Sequence, residues 1–105
     1  MDADGLIELD GHMVLIERDR YGNITYGQTL VLRAFSTKPG CESWYVRGPK
    51  NTFPIVRIYR GGTIDEGHDW SSEPVETQVH NMTALFADFT RRAGRQPRDP
   101  KFQRP

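Results

Sequence analysis

Apolar positions follow two rhythms along this chain, and the change of rhythm falls about three quarters of the way through. Near the C-terminus, Val79, Met82, Leu85, Phe86, Phe89 and Ala93 recur at steps of three, three, one, three and four. That is one stripe of a helix with 3.6 residues per turn. Asn81 is a cap for its start and Gly94 an end in the left-handed conformation. Arg91 and Arg92 then fall in the last turn, where cations offset the negative end of the helix dipole. Just upstream, Pro74 to His80 places Val75, Thr77 and Val79 on one side of an extended chain, which predicts a strand.

Before that point the pattern is short apolar runs divided by turn residues. "LIELDGHMVLIERD" holds two runs around Asp10-Gly11, a dipeptide that accepts the positive φ of a tight hairpin. Gly22-Asn23 predicts a second hairpin, pairing Met13 to Arg18 with Ile24 to Phe35, with Gly27 as a bulge. In the latter run Leu30, Leu32 and Ala34 alternate with Thr29, Val31, Arg33 and Phe35. "ESWYVRG" and "FPIVRIYRGG" predict two further strands joined by the loop from Pro49 to Thr52, with Pro54 confined to a strand start or an edge. In the second of these, Phe53, Ile55, Arg57 and Tyr59 lie on one side and Val56, Ile58 and Arg60 on the other, so both sides are partly apolar. The predicted fold class is α+β: an antiparallel β-meander sheet of four to six strands with one C-terminal helix packed on it and an extended basic tail. A single domain over residues 1–94 and a tail over 95–105 follow.

Length changes this picture little. The 105 residues make one ordinary domain, large enough to remove roughly 65% of its unfolded surface from water without a disulfide or structural metal. The one cysteine, Cys41, has no intramolecular partner to bridge to. The first residues are acidic where a secretory leader is basic, and no apolar run approaches the roughly 18 residues of a membrane span. The expectation is a soluble cytoplasmic protein with no membrane partner. Fourteen bases balance fourteen acids, which argues against a dedicated nucleic-acid protein, whose field would be positive. The signs are nevertheless segregated. Only acids (Asp2, Asp4, Glu8, Asp10, Glu17) precede Arg18, and from Arg91 onward six bases face Asp99 alone.

Candidate chemistry is sparse. "GGTIDEGHDW" gathers Asp65, Glu66, His68 and Asp69, but adjacent residues of an extended chain diverge and the spacing fits no zinc or EF-hand motif. It predicts a solvated loop, with a metal-dependent site as the alternative. Cys41 has no imidazole in a recognisable relation to it among His12, His68 and His80, so no catalytic residue, metal or cofactor is expected. Arg33, Trp44, Arg47, Arg57 and Tyr59 share strands, an arrangement suited to stacking single-stranded bases, and form the candidate nucleic-acid surface. In the tail "GRQPRDPKFQRP", Arg95, Arg98, Lys101 and Arg104 recur every third residue. On a polyproline II helix of three residues per turn they align along one edge, with Phe102 as an apolar anchor. These five residues are the candidate partner-binding set, fitted to a protein with an acidic surface. The expectation is a small non-catalytic interaction protein, an accessory, assembly or inhibitory subunit docking through its sheet surface and this arm. A single-stranded nucleic-acid module and a metal-dependent enzyme are the alternatives.

Overall fold

The computed structural model describes residues 3–20 and 24–95. It has the order β1 (Ala3–Leu9), β2 (His12–Asp19), α1 (Tyr26–Ser36), β3 (Cys41–Arg47), β4 (Ile55–Arg60), β5 (Thr63–Asp69) and α2 (Val75–Arg95). The five strands form one sheet in the order β1-β2-β3-β4-β5. The α+β expectation therefore holds in outline. The sheet is mixed, because β2 and β3 run parallel while the other neighbours run antiparallel. Parallel neighbours need a crossover, and α1 supplies it.

The helix α1 is the main departure from the sequence reading, which gave Ile24 to Phe35 to a strand. Its start is fixed locally by a capping box. Thr25 accepts a hydrogen bond on its side chain from the Gln28 backbone, and the Gln28 side chain accepts one from the Thr25 backbone. Two orphan N–H groups are thereby satisfied at once. Thr37, Pro39 and Gly40 (φ 74°) then turn the chain into β3. The Gly22-Asn23 turn lies outside the described residues. One tight turn matches the sequence reading, Asp10-Gly11 (φ 53° and 88°) between β1 and β2, whereas Gly61-Gly62 (φ 64° and 88°), read as the start of a loop, joins β4 to β5. Paired positive φ values suit the right-handed twist of the strands they join.

The helix α2 begins at Val75, so Pro74 to His80 is a helix start and not a strand. Proline is at home there because its missing N–H would have had no partner. Neither Asn81 nor Gly94 ends this helix, since both lie inside it. Gln78, buried near its start, donates from its side-chain amide to the carbonyls of Trp70 and Glu73 and accepts from Phe53 N–H. One side chain thus seals the helix start against the loop before β4.

The two helices cover opposite faces. On the α2 face, Val14, Trp44, Val46, Val56 and Ile58 pack against Met82 and Phe89, with Leu85 and Phe86 alongside. Trp44 sits 4.8 Å from Phe86 and 6.5 Å from Phe89, centroid to centroid. On the α1 face, Leu32 packs on Tyr45 and Tyr59, with Leu15 and Ile24 beside them. This explains the strand pattern in which both sides were partly apolar: β3 and β4 are central and covered twice. Val79, part of the expected helix stripe, is exposed instead. No helix among the described residues is long and apolar enough to cross a membrane.

Candidate functional site

Two carboxylates are buried among the described residues, Glu17 and Glu42, and it is Glu42 that stands at the centre of a cluster of ion pairs. Strand alternation that buries Trp44 and Val46 on the α2 face also puts Glu42 there, and the alternation that buries Val56 and Ile58 does the same for Arg60. The C-terminal turns of α2 bring Arg92 over both. Glu42, only 5% exposed, accepts hydrogen bonds from Arg92 Nη1 and Nη2 at 2.8 and 3.2 Å, from Trp44 Nε1 at 2.7 Å and from Arg60 Nε at 3.3 Å. Arg92 also donates to Asp88 at 2.9 Å, and Arg60 Nη1 donates to Asp65 and Glu66 at 2.7 Å each.

Desolvation pushes the Glu42 carboxyl up, but the hydrogen bonds from Arg92 and Trp44 and the charge of Arg60 outweigh it and hold its pKa below the usual carboxylate range. Burial likewise draws Arg60 down, and its bonds to Asp65, Glu66 and Glu42 more than reverse that. The result is a cluster in which Glu42 stays ionised and two arginines clamp it. A general acid or base needs a pKa near the working pH and an unengaged atom facing substrate. Glu42 has a depressed pKa, and both of its oxygens accept hydrogen bonds. The cluster is an internal tie between β3, β4 and α2.

Beside it lies a cavity of about 140 Å³ lined by His12, Gly40, Glu42, Arg60, Phe89 and Arg92. Ligand pockets usually run from roughly 300 Å³ upward, so this one admits only very small molecules. Cys41 also borders it, but its side chain alternates to the face opposite Glu42. Its thiol is pushed up by burial, partly opposed by the charge of Lys38. A raised thiol is a poor nucleophile at neutral pH.

The residues read from sequence are scattered. Trp44 lies fully buried under α2, and Tyr59, 2% exposed, lies on the other face under α1. Neither presents a ring to a base. Arg57 places its guanidinium 5.5 Å over the Tyr45 ring, while Arg33 and Arg47 are exposed at separate points. The stretch around Asp65 is β5 with its tight turn, not a loop. Asp65 and Glu66 face Arg60, Asp69 accepts from Ser71, and His68 stacks on Trp70 at 4.9 Å. Among the described residues no three His, Cys, Asp or Glu side chains are grouped to hold a metal. Arg98, Lys101, Phe102 and Arg104, together with the side chain of Arg95, lie outside the described residues.

A feature the sequence reading missed is the outer surface of α1. Tyr26 is 77% exposed, Val31 57% and Leu30 44%. Arg33 is the one charge in the helix, with Lys38 just beyond it. A surface helix ordinarily turns charged and polar residues outward. The signal was present in the sequence as an apolar run too continuous for a helix with a wet side. In comparisons with known proteins, the chain matches no family model, no curated protein and no solved structure.

Proposed function

We propose that this protein is a non-catalytic interaction module that docks on another protein through the outer face of α1, assisted by its basic C-terminal segment. The observation that carries the reading is the set of exposed Tyr26, Leu30 and Val31 on a helix whose inner side already packs on Tyr45 and Tyr59. Apolar groups clustered on a surface are the usual mark of a protein contact. Tyrosine is enriched at the centre of such contacts. Arg33 and Lys38 rim the patch, and Arg95, Arg98, Lys101 and Arg104 add positive charge in the sequence. The fitting partner has an apolar ridge bordered by carboxylates. An accessory, assembly or inhibitory subunit would act in this way.

The test is affinity capture from the source organism's extract with the full chain and with a Leu30→Asp/Val31→Asp variant. The reading expects a partner held by the unaltered chain and lost by the variant, with thermal unfolding of the two alike. Neutralising Arg95, Arg98, Lys101 and Arg104 together should weaken capture most at low salt, because exposed charges are screened beyond about 8 to 10 Å at ordinary ionic strength. A partner retained equally by all three proteins would refute the reading.

A further inference from the structure

The sheet has two margins, and they are built differently. At one, β5 carries Asp65, Glu66, His68 and Asp69 within seven residues, with a register shift opposite Ile58 and Tyr59. Charges and bulges on an edge strand deter a further strand from pairing. At the other margin, β1 has a register shift only at its start, between Ala3 and Gly5, then pairs regularly with β2 from Gly5 to Leu9 and leaves Leu6 58% and Ile7 38% exposed. Among the described residues nothing pairs with its outer side.

The geometry points to β1 as a docking edge for an extended segment of another protein, apolar on one side and basic on the other. This goes beyond the α1 reading and uses a different surface. Register gives the pattern. Ile7 pairs with Val14 on the α2 face, where Leu9 also packs, whereas Leu6 pairs with Leu15 on the α1 face and Glu8 follows it there. An added strand would meet Gly5, Ile7 and Leu9 with its apolar side and both Leu6 and Glu8 with the other, where the aliphatic stem of a basic residue suits Leu6 and its charge suits Glu8. Glu8 is exposed and accepts a hydrogen bond from Gly11 N–H on one carboxylate oxygen. A base opposite it is favourable and an acid unfavourable.

The experiment uses the full chain, labelled with nitrogen-15, and a seven-residue peptide alternating lysine and valine. Two control peptides carry glutamate in place of lysine, or N-methyl groups at alternate residues. The expected result is saturable shifts centred on Gly5 to Leu9 and slowed amide exchange there, by about tenfold or more. The glutamate peptide should bind at least about tenfold more weakly at low salt, and the N-methylated one not at all. Glu8→Lys should reverse the preference between lysine and glutamate peptides, and Ile7→Lys should abolish binding with α2 resonances unmoved. Shifts centred elsewhere, indifference to N-methylation, or no saturation would overturn the proposal. So would protection of β1 that grows with protein concentration in the absence of peptide, since the occupant would then be a second copy.

Discussion

The helices α1 and α2 cover opposite faces of one sheet, yet they are made on opposite plans. The longer α2 separates its residues cleanly: Met82, Phe89 and Ala93 point inward, while Glu76, His80, Thr83, Thr90 and Arg91 lie outward. Its exposed large apolar residues are Val75 and Val79, both near its start. The shorter α1 buries Leu32 and still sends Tyr26, Leu30 and Val31 to the surface. One helix is finished by solvent. The other is left with surface that burial against a partner would stabilise, at about 25 cal/mol per Å² of apolar area before the losses of association. The contrast teaches that packing on the sheet accounts for the apolar residues of α2 beyond its first turns, and for a smaller share of those of α1.

The first way to break this comparison is to remove what each helix buries. Phe89→Ala should destabilise the protein by about 3 to 5 kcal/mol, since an aromatic ring 3% exposed leaves a cavity under α2. Leu32→Ala should lower stability by about 2 to 5 kcal/mol through the α1 face. Denaturant unfolding measures both. If Leu32→Ala left the midpoint unchanged, α1 would not be a structural layer at all.

The ion cluster lies on the α2 face, where it ties α2 to β3 and β4, and gives a second lever. Glu42→Ala leaves Arg60 and Arg92 without their shared carboxylate and should lower stability by about 3 to 5 kcal/mol. The pH dependence has a definite sign. Glu42 has a folded pKa below its unfolded value of about 4.3, so its contribution is fully present above that value and is lost as pH falls through the folded pKa. Urea midpoints measured from pH 7 down to pH 3 should fall at the acid end, and Glu42→Gln should flatten that fall. Equal slopes in the two proteins would remove the cluster from the account of α2.

A smaller effect is expected at the start of α1. Thr25→Ala deletes half of the capping box and should cost about 1 kcal/mol, with amide exchange quickening first in Gly27 to Thr29. The smallest effect on stability is expected on the outer face of α1. Leu30→Asp should lower stability by no more than about 1 kcal/mol, because the side chain is 44% exposed and belongs to neither apolar core cluster.

Much of the α2 face was legible because its apolar residues fall three and four apart with polar residues between them. The helix α1 was misread for the reason that makes it interesting. With apolar residues on both sides, no 3.6-residue period survives, and Leu30, Leu32 and Ala34 imitate a strand. The spacing Thr25-x-x-Gln28 was the available correction. The strand β5 passed for a loop because an edge strand with polar residues on both sides carries no apolar alternation. Glu42, Arg60 and Arg92 could not be joined by any local rule, since the chain separation is wide. Parity was a clue for two of them: Glu42 and Arg60 sit at alternation steps that otherwise bury Trp44 and Ile58.

The most direct test is photo-crosslinking in the source organism with benzoylphenylalanine replacing Leu30 on α1 or, in a second protein, Thr83 on the outer side of α2. The account predicts a discrete adduct of defined mass from position 30 and none from position 83. Adducts from position 83 alone, or the same adducts from both, would contradict the claim that α1 and not α2 carries the docking surface.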